Sequence, residues 1–155
     1  MVVDKMRPVI SIIKQHFEES NRKTILDFIM EHPDRGPSFE KALEADVLYA
    51  LTRVDKDATM KGNKINNYDF LLPNLDIRIE FKATRHDGKS QLNEIRFGRK
   101  GKRIADYYLL IAPKTPKTID FLKNCQDMNY KMVVEEIYGK HQYILALIES
   151  PPMSA

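Results

Sequence analysis

Cysteine is almost missing from this chain. Only Cys125 is present among 155 residues, so no internal disulfide can form and no cysteine-rich zinc site can be built. The four histidines (His16, His32, His86 and His141) fall at no metal-ligand spacing. A reducing compartment is the default for such a composition, and the cytoplasm is the expected location. No apolar run approaches the length that spans a bilayer, and Met1 to Arg7 lacks the basic-then-apolar layout of a secretion signal. Six glycines and eight prolines are too few for a disordered chain. What is left is an ordinary globular composition, 43% hydrophobic and 30% charged, with enough length for one domain over residues 1–155.

The net charge of +3 says little by itself, but its distribution says more. In RFGRKGKR the residues Arg96, Arg99, Lys100, Lys102 and Arg103 are basic and no acid intervenes. Such a stripe suits phosphate contact, although a solubilising loop is the plain alternative.

Apolar residues recur at helical spacing from about Pro8 to Phe17 and from about Arg22 to His32. This predicts an N-terminal helical extension over 1–33 that packs on the core or forms a dimer interface. Ser38 is the expected N-cap of a third helix carrying Phe39, Leu43, Val47, Ala50 and Leu51. A polar, turn-rich stretch, KDATMKGNKINN, follows, and the period then changes to two. Tyr68, Phe70 and Leu72 begin a strand. In the next, Ile77, Ile79, Phe81 and Ala83 alternate with Asp76, Arg78, Glu80, Lys82 and Thr84. Tyr107 to Ala112 is a continuous apolar run, as in a strand buried on both faces. A helix from about Thr118 to Cys125 precedes two strands, Met132 to Ile137 and Gln142 to Ile148. The predicted fold class is α/β, a central mixed sheet flanked by helices.

With the turn centred between Asn74 and Leu75, a two- or four-residue loop puts Phe70 opposite Ile79, Leu72 opposite Ile77 and Tyr68 opposite Phe81. Core-facing residues then meet core-facing residues. The same register sets Asp69 opposite Glu80, with Cβ atoms roughly 4.5 to 5.5 Å apart, where two carboxylates repel unless a proton or cation separates them. Mg²⁺ suits such a place, taking one or two carboxylates and filling its shell with water and phosphate oxygens. Lys82 follows Glu80 by about 6.6 Å along the same strand face. A solvated hairpin side, with its charges cross-paired, would look much the same.

The string NYDFLLPNLDIRIEFKAT resembles the active-site hairpin of the PD-(D/E)xK nuclease superfamily. Asp69 takes the first acidic position, Glu80 the variable acid and Lys82 the lysine, while Tyr68 stands where the eponymous proline would be. Members carry a glutamate on a preceding helix. Here PSFEKALEADVLYAL supplies Glu40, with Glu44 competing one turn later. The likeness covers about Gly36 to Ala112, and it implies a restriction endonuclease-like core.

What the resemblance implies is Mg²⁺-dependent hydrolysis of DNA phosphodiester bonds, with Mn²⁺ able to substitute and no organic cofactor. Metal ligands would be Asp69, Glu80, the backbone carbonyl of Phe81 and Glu40; the catalytic set would be Glu40, Asp69, Glu80 and Lys82. Arg85, His86, Lys89 and Gln91 would join the basic stripe on DNA. Within the superfamily the chain is most similar to a type II restriction endonuclease acting as a homodimer. A Holliday-junction resolvase or DNA-repair nuclease is the alternative, and a catalytically silent DNA-binding or subunit-interaction protein on the same fold is a second.

Overall fold

The structure, a computed structural model, describes residues 2–19, 22–31, 38–60, 68–83 and 105–149. Over these the chain forms α1 (Val2–Glu18), α2 (Lys23–Glu31), α3 (Ser38–Thr52), β1 (Thr59–Met60), β2 (Phe70–Leu72), β3 (Ile77–Ala83), β4 (Tyr107–Pro113), α4 (Pro116–Asp127), β5 (Met132–Tyr138) and β6 (Gln142–Glu149). The strands make one six-stranded sheet in the order β1-β2-β3-β4-β6-β5. All neighbours are antiparallel except β3 and β4, which run parallel. Parallel neighbours need a crossover connection, and this one passes through 84–104, outside the described residues. The molecule is thus an α/β protein with a mixed sheet flanked by helices.

Strand periodicity decides the two faces. Ile77, Ile79, Phe81 and Ala83 turn to one side and are buried with Tyr107, Leu109, Ile111, Leu145 and Leu147. α1 and α3 cover that side. Met6, Val9, Ile10, Ile13 and Phe17 of α1 are fully buried there, so its apolar stripe is spent on the protein's own sheet. Asp46 of α3 fixes the two helices: His16 Nε2 lies 2.8 Å from its carboxylate, and Arg22 Nε donates to the same oxygen at 2.8 Å. On the other face α4 covers Tyr108, Leu110, Ala112, Ile144, Ala146 and Ile148 with Cys125. There β3 presents Arg78, Glu80 and Lys82 instead, beyond the apolar cluster. β4 is buried along its whole length, as its unbroken apolar run requires.

The β2–β3 turn has the predicted register, with Phe70 opposite Ile79 and Leu72 opposite Ile77, closed by the four residues Pro73 to Asp76. Asp76 closes the turn at φ 53°. Asp and Asn tolerate that region because a short polar side chain bonds locally; a β-branched residue does not. Asp76→Val is expected to cost about 1–3 kcal/mol in chemical denaturation, whereas Asp76→Gly should be close to neutral. A loss of less than half a kcal/mol for Val would mean the turn readily adopts another geometry.

A second tie holds the same turn. The buried Asp55 carboxylate accepts from Asn74 N (2.8 Å), Asn74 Nδ2 (2.6 Å) and Asp57 N (3.0 Å). Burial pushes its pKa up, but the hydrogen bonds from Asp57, Asn74 and Leu75 together outweigh this and leave it below the usual carboxylate range. Its contribution to stability is therefore present above the unfolded pKa and lost as pH falls.

Two short features were not legible from periodicity. β1, two residues long, lies inside the stretch that reads as polar and turn-rich. β2 starts at Phe70 rather than Tyr68.

Candidate metal and nuclease site

Asp69 does not continue the ladder as the cross-strand partner of Glu80, and Tyr68 does not pair with Phe81. The paired residues of β2 are Phe70, Leu71 and Leu72. Asp69 N donates instead to Ile79 O at 2.9 Å, one residue out of step with the Phe70–Ile79 pairing. The regular ladder ends there, so strand alternation no longer dictates where the Asp69 side chain points. The carboxylate then takes the place of the missing strand carbonyl: Asp69 Oδ2 accepts from Phe81 N at 2.8 Å.

This bond brings the Asp69 carboxylate to the backbone beside Glu80. Phe81 N is one peptide from the Glu80 Cα, so Asp69 Oδ2 lies no more than about 6 Å from that Cα. The Phe81 carbonyl faces the same side as its N–H, as in any strand residue, and so also turns toward the start of β2. Glu80 and Lys82 lie in ladder with Tyr108 and Leu110 of β4, on the face covered farther along by α4. Both are half-buried.

α3 brings in a further carboxylate. Glu44 is half-buried beside Leu43, and its pKa is raised above the usual carboxylate range, first by burial and then by the negative charge of Asp69, against the opposing effect of Lys41. Glu44 is thus a partly desolvated carboxylate that feels the charge of Asp69, and a cation placed between them would relieve that repulsion. The backbone of Glu40 lies one helical turn earlier on the same stripe of α3, and its side chain lies outside what the structure describes. Of the two glutamates weighed from the sequence, Glu44 is therefore the one whose approach to Asp69 can be stated.

Among the described residues no group of three or more His, Cys, Asp or Glu side chains is gathered as a ready-made metal cage. The donor chemistry fits Mg²⁺ nonetheless, since this ion needs only one or two carboxylates and keeps several waters. Asp69 commits one oxygen to Phe81 N–H, which fixes the carboxylate's orientation. Arg85, His86, Lys89, Gln91, Arg96, Arg99, Lys100, Lys102 and Arg103 all fall within 84–104, outside the described residues.

Comparison with known proteins identifies no relative. No family model matches the chain, nor does any curated protein or solved structure. Among the described residues no helix is long and apolar enough to cross a membrane.

Proposed function

We propose that the protein is a Mg²⁺-dependent endodeoxyribonuclease on a restriction endonuclease-like core, of the type II restriction kind and acting as a homodimer in the cytoplasm. The observation that carries this reading is the Asp69 carboxylate seated on the Phe81 peptide, between Glu80 and Lys82, with Glu44 within reach of its charge. The order of elements supports it: helix α3, acidic strand β2, the Glu-x-Lys strand β3, a crossover, and the buried parallel strand β4. A solvated hairpin side would explain the charges of β3, but not an aspartate that leaves the ladder and accepts from the Phe81 N–H.

Asp69 and Glu80 would hold the ion, with the Phe81 carbonyl and a glutamate of α3, Glu44 or Glu40, completing the protein's share. A bound divalent ion supplies positive charge to a phosphate oxygen and acidifies a water. Asp69, anchored by the Phe81 N–H, keeps its orientation before any ligand arrives, so no reorganisation is needed during reaction. Lys82, on the same strand face as Glu80, places an ammonium against the scissile phosphate and stabilises the charge that develops on its oxygens. Two copies of the chain would each cut one strand of a symmetric duplex. The stripe of Arg96, Arg99, Lys100, Lys102 and Arg103, with Arg85, His86, Lys89 and Gln91, would track the DNA backbone.

Supercoiled plasmid incubated with the protein should be nicked or linearised in Mg²⁺ or Mn²⁺ and remain intact in EDTA. Discrete fragments from linear duplex point to a restriction enzyme, and cuts confined to four-way junctions to a resolvase. If no DNA is cut in either metal, the nuclease reading fails. Binding without cutting would then favour a silent DNA-binding protein. Replacing Arg99, Lys100 and Lys102 together by Ala should flatten the slope of log affinity against log salt by up to about three. An unchanged slope would reduce the stripe to plain surface.

A further inference from the structure

The sheet ends on one side at β5, and the ties of that strand to β6 fix which way its backbone groups point. Glu149 N donates to Lys131 O at 2.9 Å and Gly139 N to His141 O at 3.0 Å, at the two ends of one continuous register. Hydrogen-bonded and non-hydrogen-bonded positions alternate along an antiparallel pair, so Lys131, Val133, Glu135 and Ile137 turn their N–H and C=O groups to β6. Those of Met132, Val134 and Glu136 point out of the sheet, and among the described residues no strand lies beyond β5. Such an edge is a template for a further strand. Beside it, between α4 and β5, runs a groove lined by Ile119, Leu122, Met132 and Val134, with Ile119 45% and Val134 41% exposed.

This edge is complementary to itself when reversed. Setting Val133 antiparallel to Val133 of a second copy puts Met132 opposite Val134 and Lys131 opposite Glu135, each twice by symmetry. Moving the two-fold axis to Val134 sets Val133 against Glu135, and moving it to Glu135 sets that carboxylate against its own copy. Of the three, only the first joins apolar to apolar and base to acid. It also brings the outward N–H and C=O groups of Met132 and Val134 face to face, where they can bond to each other. We infer that β5 is the dimer interface: two copies join edge to edge about a two-fold axis at Val133 and make one continuous sheet. This rests on the homodimer of the proposed function and says which surface forms it, the stripe of α1 being spent on the protein's own core. Glu135, held in its own chain by Lys14 at 3.4 Å, gains Lys131 of the other copy as a second cation. The axis stands perpendicular to the sheet, so Glu80 and Lys82 of both copies open to the same side, as cutting both strands of one duplex requires.

The test is sedimentation of the full chain, for wild type, Lys131→Glu, Glu135→Lys and an equimolar mixture of the two variants, with plasmid cleavage in Mg²⁺ read on wild type. Wild type should sediment as a dimer. Each variant alone opposes like charges at both symmetric positions and should self-associate roughly tenfold more weakly or worse. In the mixture every opposed pair is again acid against base, so a heterodimer should form within about threefold of wild-type affinity, which a misfolded variant could not do. Variants that dimerise as wild type does overturn the proposal and leave the homodimer seated elsewhere. Weakened variants that the mixture does not rescue overturn it as well. A monomeric wild type overturns both this interface and the homodimer and leaves the edge to another occupant, while cleavage by that monomer would keep the nuclease reading.

Discussion

Asp69→Asn should lower Mg²⁺-dependent cleavage by at least about a hundredfold while leaving the thermal midpoint within a few degrees of wild type. The asymmetry follows from the two jobs of this carboxylate. Its bond from Phe81 N–H asks only for an oxygen acceptor, which the Asn amide still offers, whereas holding a divalent ion asks for charge. Asp69→Ala removes both. It leaves the Phe81 N–H without this acceptor and should cost a further 1–3 kcal/mol or so in denaturant. Lys82→Ala should match Asp69→Asn in lost cleavage, yet keep Mn²⁺ binding in calorimetry, because an ammonium neutralises phosphate charge and is no metal ligand. Cleavage within about threefold of wild type in Asp69→Asn would remove this carboxylate from the chemistry. Equal loss of Mn²⁺ affinity in Lys82→Ala would instead give the lysine a structural part in forming the site.

Glu44→Gln should make the protein more stable in chelator at neutral pH and at the same time weaken Mn²⁺ by about tenfold or more. The pKa of Glu44 is raised in the folded protein by burial and by Asp69, with Lys41 opposing. A carboxyl that holds its proton more tightly when folded costs stability once it is ionised. That cost is absent well below the unfolded pKa, grows as pH rises through the interval between the unfolded and folded values, and is complete above the folded one. Removing the charge relieves it. Thermal melts in EDTA from acid to neutral pH should therefore show the advantage of Glu44→Gln over wild type growing as pH rises. Divalent ion should then stabilise wild type more than the variant. A variant that is less stable than wild type in EDTA at pH 7, or that binds Mn²⁺ equally well, would detach Glu44 from the site. Glu40→Gln, in parallel, would show whether the earlier turn of α3 takes its place.

Much of the sheet is legible in local periodicity, because strand burial depends on neighbours two residues apart. The alternation of Ile77, Ile79, Phe81 and Ala83 against Arg78, Glu80 and Lys82 forces one face inward, and the pairing of Phe70 and Leu72 with Ile79 and Ile77 follows from keeping apolar residues together. The unbroken run from Tyr107 demands cover on both faces, and α1, α3 and α4 provide it. Even so, extending the same register by one residue misplaces Asp69. Periodicity assumes a regular ladder, and nothing in the string NYDF announces that the pairing slips there. The N-terminal helices show the same boundary. Their apolar stripe is plain in the sequence, but an apolar stripe does not name what it will cover.

The sequence by itself determined the strand-facing pattern, the hairpin register and the presence of Asp69, Glu80 and Lys82 within one short stretch, since each follows from spacing along the chain. Only the tertiary structure decided that Asp69 would turn its carboxylate onto the Phe81 peptide, that Glu44 would come within reach of its charge, and that Tyr108 would lie beside Glu80. Those three depend on where a ladder ends, on how a helix seats against a strand end, and on the register of a parallel pair. Distances of that kind are set by packing between distant segments, and local spacing carries no record of them.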